Sequence, residues 1–454
     1  MTLYDAFGRE VDVSRLREEQ AAPTISGIRN IYSSMHPSVG LTPERLTQIL
    51  REAEFGDPFL YLELAEEMEE KDLHYLAVLG TRKQTVSDLD LEVRAASSAK
   101  DDLRAAEMVR AMLASDAIDL ASAMVDILDA IGKGFSATEI VWDSSEREWF
   151  PRRLRWRDPR WFMFDWISGE ELLLRSMKGE GPQFTTAGAA TVSGSHFKGS
   201  GLSATLRGGM QPMTEPLLPY KFIVHVARAK AGLPIRGGLA RAAGWVYLFK
   251  NYVLKDWVTF AEVYGQPLRV GKYGAGATDQ ERERLLQAVA NIGTDAAAII
   301  PESMLIEFTE ARQTGSSELY QSFCQYLDAQ LSKAVLGQTL STEIPQGAGS
   351  RAAAQVHDDV RRDIVSADAR RLAATLNRDL VKPIVDLNLG PREHYPRIVL
   401  GIADDSDASE FVDIISKLAD HGVRIGQKAV LERLGIAEPQ AGEALLHPSR
   451  TPIA

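Results

Sequence analysis

The stretch "VYLFKNYVLKDWVTFAEVYGQPLRVGKY", residues 246–273, constrains the chain most. It belongs to a helix running from about 239 to 264, dense in aromatic residues and stopped at Gly265-Gln266-Pro267. Glycine weakens helical backbone and proline removes a ladder N–H, so the helix ends there. At ~1.5 Å per residue the segment is about 39 Å long. On a helical wheel Asn251, Lys255, Thr259 and Glu262 share one stripe about 80° wide. Val246, Phe249, Val253, Trp257, Phe260 and Tyr264 lie opposite. A helix whose apolar arc covers most of its circumference must be buried on several sides. Two arrangements achieve this. Either the helix is the centre of a large single-chain core, or identical copies pack side by side around a ring with the polar stripe facing a lumen. The wheel by itself favours the first. A membrane span is excluded because the longest apolar run, Ala242 to Phe249, falls far short of about 18 residues.

The rest of the 454 residues can support such a helix: 45% are hydrophobic and 25% charged, ordinary values for a chain that buries a core. The formal net charge of −12 argues against a tight grip on nucleic acid, which calls for a basic face. The single cysteine, Cys324, excludes an internal disulfide and reads as a small core residue, in a protein of the cytosol or of a particle assembled there. The opening "MTLYDAFGRE" has no apolar signal-peptide segment.

Residues 1–40, broken by Pro23, Gly27, Pro37 and Gly40, read as a loose arm. Thr42 and Pro43 open a helix, and "PFLYLELAEEMEEKDLHYLAVLG" reads as a second one closed by Gly80. Its acidic run, Glu66, Glu67, Glu69 and Glu70, reads as a solvated face. "TVSDLDLEVRAA" alternates like a strand, and a helix is expected over about 101–131. Residues 132–166 are β-rich, with turns at Asp143-Ser144 and Asp158-Pro159. Trp142, Trp149, Trp156, Trp161 and Trp166, with interleaved arginines, resemble a nucleic-acid stacking surface, although packing between strands is the simpler reading. Residues 178–212 read as a loop, and 221–227 as a short buried strand.

Beyond the aromatic helix, "LRVGKY" is a strand and Thr278 to Glu281 a capping box. "AAAIIPESMLIEF" reads as one or two strands. A helix from Ser316 to Gly337 carries Leu319, Phe323, Leu327, Leu331 and Val335 on one face. Residues 337–350 are a loop, and a long helix from 351 is expected to stop at Pro383. A strand at "RIVLG" and helices over about 408–420 and 426–434 finish the chain.

Enzyme chemistry finds no constellation. The eight histidines, at 36, 74, 196, 225, 357, 394, 421 and 447, include no HExxH pair, and one cysteine cannot form a CxxC site. There is no GxSxG elbow. "GKYGAGAT" and "IGKGFS" fail the GxxxxGK[ST] pattern of a phosphate-binding loop. His225, in an apolar strand, reads as a core histidine. His357, Asp358 and Asp359 point in different directions on a helix. No catalytic residue, metal or cofactor is expected.

Long helix, strand–helix–strand unit, second long helix, loop, third long helix: this order resembles the phage portal proteins. The wording of "GKGFSATEIVW" (132–142), "DPRWFMFD" (158–165), "KFIVHVARAKAGLPIRGGLAR" (221–241), "VYGQPLRVGKY" (263–273) and "NIGTDAAAIIPESMLIEF" (291–308) resembles the portal family of Mu-like tailed bacteriophages. The resemblance covers residues 45 to 400 or so.

It implies an α+β, ring-forming portal fold. Residues 1–40 would be an N-terminal arm, 41–236 a wing that is β-rich over 132–227, and 237–264 the first stem helix. Residues 265–312 would be the clip, 313–336 the second stem helix and 337–350 the channel loop. Residues 351–400 would hold the long wing helix and a strand, and 401–454 a short helical crown. It further implies a ring, usually of twelve subunits, at one capsid vertex, through which viral double-stranded DNA is packaged, retained and ejected without sequence readout. Partners would be the terminase large subunit, the major capsid protein and neck or head-completion proteins, in the host cytoplasm during assembly and then in the virion, with no membrane. Gln338, Thr339, Ser341, Thr342, Glu343 and Gln346 would approach DNA. Asn251, Lys255, Thr259 and Glu262 would form the stem's polar stripe, and Gln266, Arg269, Lys272 and Tyr273 the docking face of the clip. Lys250, Lys255, Arg269 and Lys272 would be lumen or clip contacts, or ion pairs between subunits. Two other readings remain: a soluble α+β scaffold, or a nucleic-acid-processing factor using the Trp/Arg segment 142–166.

Overall fold

Thr42 and Pro43 begin the first helix of the body. In the computed structural model α1 spans Pro43–Glu54, and the Thr42 hydroxyl accepts from Arg45 N at 3.2 Å. The structure describes residues 2–24, 29–31, 36–115, 118–146, 148–176, 213–265, 269–274, 276–291, 297–301, 317–339, 351–401, 405–423, 426 and 430–431. They fall in two compact units, Met1–Leu400 and Gly401–Ala454.

The single helix expected after Pro58 is two helices, α2 (Phe59–Lys71) and α3 (Leu73–Ser87). Asp72 makes the break. Its backbone is extended, and its carboxylate caps α3 by accepting from His74 N at 3.0 Å and Tyr75 N at 3.1 Å. Gly80 does not close α3: a helical glycine costs roughly 1 kcal/mol against alanine but does not break the ladder. Because α3 runs on to Ser87, the expected strand shrinks to β1 (Asp90–Arg94). The helix expected over 101–131 is three helices: α4 (Lys100–Leu113), α5 (Leu120–Leu128) and α6 (Ala130–Lys133). Asp119 starts α5 by accepting from Ser122 N at 3.1 Å.

β2 (Phe135–Ser144) lies between β3 (Trp149–Arg157) and β7 (Phe222–Val226) in an antiparallel sheet. Residues Phe135 to Trp142 of β2 are all buried, because both faces of the sheet are covered. α5 packs on one side. The N-terminal segment, expected to be loose, is tied down by buried polar groups. Glu139 is fully buried and accepts from the backbone N–H of Gln20 and of Ala21 (3.1 Å). The same carboxylate pairs with Arg157 at 2.8 Å and Lys221 at 3.8 Å. Gln20 also bonds Pro216 O and Leu218 N, each at 2.9 Å.

A second antiparallel sheet holds β4 (Phe162–Phe164), β5 (Leu172–Ser176) and β6 (Met213–Pro216). Edge-to-face contacts of Phe135 with Phe164 (5.0 Å) and Phe162 with Phe222 (6.0 Å) join the two sheets. β2 runs through Asp143 and Ser144, so the chain reverses later, where Ser145 N donates to Glu148 O at 2.9 Å. Asp158-Pro159 leads into a 3-10 turn, Pro159–Trp161, rather than a hairpin. The segment 178–212, expected as a loop, lies outside the described residues.

The first aromatic helix is α7 (Ala240–Gly265). β8 (Arg269–Tyr273), α8 (Asp279–Asn291) and β9 (Ala297–Pro301) follow as a parallel βαβ unit, in register from Arg269 opposite Ala297 to Tyr273 opposite Pro301. Its capping box is reciprocal: Thr278 N donates to Glu281 at 2.8 Å, and Glu281 N to Thr278 at 3.4 Å. α9 is Ser317–Leu336.

α10 (Arg351–Leu376) does not stop at Pro383. It passes through a π-helical segment, Asn377–Val381, into α11 (Lys382–Leu389). The wider turn relieves the clash of the proline ring with the preceding turn, and Pro383 sits where its missing N–H costs nothing. The segment also closes the open edge of β7: Val224 N donates to Asp379 at 3.0 Å, and Arg378 donates to Val224 O at 2.7 Å. Pairing an exposed strand edge in this way blocks pairing with another chain. Asn377 does the same for β10 (Arg397–Gly401), bonding Ile398 N and O at 2.6 and 2.9 Å. β10 pairs with β1. In the second unit α12 spans Asp405–Asp420; the helix expected over 426–434 lies mostly outside the described residues.

His225 is a buried core histidine whose Nδ1 lies 2.9 Å from Thr375 Oγ1, and burial lowers its pKa to about 4. An unfolded histidine takes its proton near pH 6.5, so stability falls as pH drops from about 6.5 to 4, by up to about 3 kcal/mol. Urea unfolding at pH 7 and pH 5 should show this loss in the native chain and a smaller one in His225→Gln. Glu139→Ala removes the carboxylate that Arg157 and Lys221 share, leaving Arg157 with Glu19 and Lys221 with Leu16 O, and unfolding should then cost about 3 kcal/mol less. A change under about 1 kcal/mol would contradict the role given to this carboxylate.

Candidate functional site

α7 and α9 pack side by side, and α9 also packs on α3. One half of this hairpin is core and the other is not. On α7, Tyr247, Leu248 and Val253 are buried, whereas Tyr252, Leu254 and Val258 (58% exposed) are uncovered. On α9, Leu327, Leu331 and Val335 are buried, but Leu319 (64% exposed), Phe323 and Tyr326 are uncovered. The apolar face expected over 319–335 is therefore core only in its second half. Trp257 stacks on Tyr320 at 6.3 Å, with Phe260 tilted against the same ring at 5.7 Å. The favoured wheel reading, a helix central to a single-chain core, fails for the distal half of α7.

Polar bonds hold the buried half. Lys250 donates to Asp72 at 2.8 Å and to Asp328 at 2.6 Å, joining α7, α9 and the α2–α3 junction. Burial pulls its pKa down, but the bonds to Asp328 and Asp72 outweigh that and hold the ammonium above its usual value. The lumen, clip and inter-subunit roles expected for Lys250 are thus replaced by pairs within the chain. His74 lies 2.7 Å from Ser332 Oγ. Arg82 donates to Val335 O at 2.6 Å, capping the end of α9, and to Asp368 of α10 at 2.7 Å.

The loop after α9 begins at this anchor. Gly337 has φ +73°, and a Cβ there would lie 2.8 Å from Ile364 Cδ1 and 2.9 Å from Val360 Cγ1. Gln338 is buried and Thr339 half-buried, so Gln338 packs at the root instead of standing free near a ligand. Ser341, Thr342, Glu343 and Gln346 lie outside the described residues. Asn251, Lys255, Thr259 and Glu262 are all exposed. Gln266 is outside the described residues; Arg269 opens β8, Lys272 is exposed, and Tyr273 is half-buried beneath Arg282, whose guanidinium lies 4.8 Å from the ring.

The tryptophans do not assemble a stacking surface. Trp142 and Trp161 are buried, donating to Tyr220 O (2.7 Å) and Asn30 O (3.1 Å). Trp149 is half-buried with Arg17 over its ring; only Trp156 and Trp166 are partly exposed. The acidic run is not a solvated face either. Glu67 is buried and bonds Ser38 N (2.8 Å) and Lys71 (2.7 Å), Glu69 pairs with Lys83 and Glu66 with Lys133; Glu70 alone of the four is exposed. Cys324 is half-buried rather than core. The side chains of His357, Asp358 and Asp359 lie outside the described residues. Among the described residues no group of three His, Cys, Asp or Glu is placed to hold a metal, and no helix is long and apolar enough to cross a membrane. The anchor residues Asp72, Arg82, Asp328 and Asp368 carried one readable signal: Asp72, at the end of the charged run Glu66–Lys71, is a residue type favoured as a helix cap.

These features define an α+β protein with a long-helix hairpin that frames a βαβ unit and is left half uncovered. The family model for the portal protein of Mu bacteriophage matches residues 62–436, and the chain belongs to that family. It is 35% identical over 446 residues to Mu-like prophage FluMu protein gp29 of Haemophilus influenzae, covering 97% of this chain and 78% of that protein. It is 34% identical over 414 residues to the portal protein of Escherichia phage Mu, covering 90% of this chain and 74% of that one. Among solved structures it is similar to a chain in the virion of a native gene transfer agent particle, at 11% identity and a TM-score of 0.45, covering 80% of this chain and 90% of that one.

Lys250→Met should leave Asp72 and Asp328 facing each other without a cation, at a cost of about 3 kcal/mol. Hydrogen exchange should then speed up over 317–336 more than in β2, because the α9 anchor is lost first. Uniform acceleration would contradict the clamp.

Proposed function

We propose that this phage portal protein acts as a ring of identical subunits, about twelve by resemblance to its family, forming the DNA conduit at one capsid vertex. The observation that carries the reading is the set of large apolar side chains left uncovered on the hairpin: Leu254 and Val258 on α7, and Leu319, Phe323 and Tyr326 on α9. Exposed large apolar side chains grouped on two packed helices mark an interface. Repeated head-to-tail packing of one face against another generates a closed ring when the rotation closes.

In this reading residues 41–236 form the wing, with the N-terminal segment as part of it. α7 and α9 are the stem helices, 265–312 the clip, 337–350 the channel loop and 401–454 a short crown. The polar stripe Asn251, Lys255, Thr259 and Glu262 faces the lumen. Each phosphate held by a fixed cation adds affinity and salt-dependent friction. A chain of net charge −12, with Lys250 neutralised by two aspartates, lets DNA slide. The clip, through Lys272 and Tyr273, serves the terminase large subunit during packaging and neck proteins afterwards; the wing meets the major capsid protein. ATP hydrolysis resides in the separate terminase. The protein works in the host cytoplasm during assembly and at the portal vertex of the virion.

Val258→Glu with Leu319→Glu places charge on the exposed face without touching the core. Native mass spectrometry and negative-stain imaging should show rings with a central hole for the unchanged chain and folded monomers for the variant. A monomeric unchanged chain at high concentration would overturn the ring. Deleting residues 340–349, beyond the anchored Gln338, should leave rings intact but impair DNA packaging or retention; normal packaging by that ring would sink the channel-loop assignment.

A further inference from the structure

α3 buries Tyr75, Val78, Leu79 and Val86. Its opposite face is apolar as well. Leu73 is 77% exposed and Leu76 47% exposed. Ala77 is exposed and Gly80 half-buried. These positions fall at i, i+3, i+4 and i+7, the spacing of one helix face. None of them is charged or polar, whereas the outward face of a surface helix ordinarily is.

Gly80 has no reason within the chain. Glycine in a helix interior costs about 1 kcal/mol against alanine. A Cβ built on Gly80 would meet nothing within 4 Å, whereas one on Gly337 would lie 2.8 Å from Ile364 Cδ1. Packing inside the subunit therefore excludes a side chain at Gly337 and not at Gly80. A glycine beside large apolar residues on an outward face lets another element approach closely.

Three observations favour a second copy of this chain as that element. First, His74–Ser332 and Arg82–Val335 O fasten α9 to α3. The α3 face and the uncovered Leu319, Phe323 and Tyr326 are thus carried by two packed helices. Second, the hairpin alone offers too little area. Leu254, Val258, Leu319, Phe323 and Tyr326 are 40–64% exposed, which at roughly 150–250 Å² per large side chain leaves roughly 500 Å² to divide between two neighbours. A specific interface takes about 800 Å² from each partner. Third, copies of a chain with net charge −12 repel one another and approach best where a face carries no charge.

We propose that the Leu73, Leu76, Ala77 and Gly80 face of α3 is part of the contact between neighbouring copies, with an apolar segment of the next copy seated at Ala77 and Gly80 between the two leucines. This rests on the ring proposed above and extends its interface from the hairpin onto the body.

Gly80→Leu separates the folded chain from the ring. Leucine is the better helix former and has open space there. In the monomeric Val258→Glu, Leu319→Glu background it should raise the melting temperature; a fall would mean that the fold itself needs the glycine, and would overturn the proposal. In the otherwise unchanged chain it should raise the monomer fraction in native mass spectrometry at least tenfold at equal concentration. Leu73→Glu with Leu76→Glu should do the same. Full rings from both variants would remove α3 from the interface and leave the ring standing, whereas a monomeric unchanged chain would remove the ring as well. Hydroxyl-radical footprinting gives an independent reading. Leu73 and Leu76 should be oxidised several-fold more slowly in the ring than in the monomeric variant; equal rates would overturn the contact.

Discussion

Lys250 between Asp72 and Asp328 is the interaction on which the rest depends. One ammonium joins the helix expected to line a channel, the second helix of its hairpin, and the break between α2 and α3. Removing one member of a buried charge group leaves the others desolvated and unpaired, which costs more than the group contributes when intact. The clamp therefore specifies one packing of the hairpin root. His74–Ser332 and Arg82–Val335 O repeat the theme one and two turns further along α9. Together they make α3 a rail to which α9 is fastened.

The molecule spends its buried charges and its exposed apolar groups in different places. The body holds Glu139 with Arg157 and Lys221, Asp129 with two lysines, and Asp386 with Tyr220, Tyr395 and Lys382. Such networks fix geometry when complete. The distal hairpin instead leaves Val258, Leu319 and Tyr326 in contact with solvent. The ring proposed for this portal protein calls for this division. In the ring proposed above, the body is rigid before assembly and the hairpin completes its burial against a neighbour.

Residues that cap or bridge were legible when their partners were local. Thr42, Pro43 and the Thr278–Glu281 box lie within one helical turn of what they bond, so their spacing gave them away. Asp72 is hard to read as a cap because it is one more acid after the charged run Glu66–Lys71, and Pro383 as an interior residue because a π-helical turn absorbs it. The acidic run at Glu66–Glu70 looked solvated because Lys83 and Lys133, its partners, are distant in sequence. The candidate lumen residues divided in the same way. Lys255 and Thr259 are exposed, as their stripe required, while Lys250 one turn earlier is captured by carboxylates from other elements.

By itself the sequence determined that a long aromatic helix must be covered on several sides, that it ends at Gly265, and that a strand–helix–strand unit follows. These follow from periodicity, proline and glycine chemistry and short-range capping, all local in the chain. The order of its segments also carried the family. Only the tertiary structure decided that the N-terminal segment is strapped to the sheet, that Lys250 is a clamp rather than a lumen charge, and that the covering of α7 stops halfway. Those outcomes depend on which distant carboxylate or carbonyl reaches a given donor, and no local pattern encodes that.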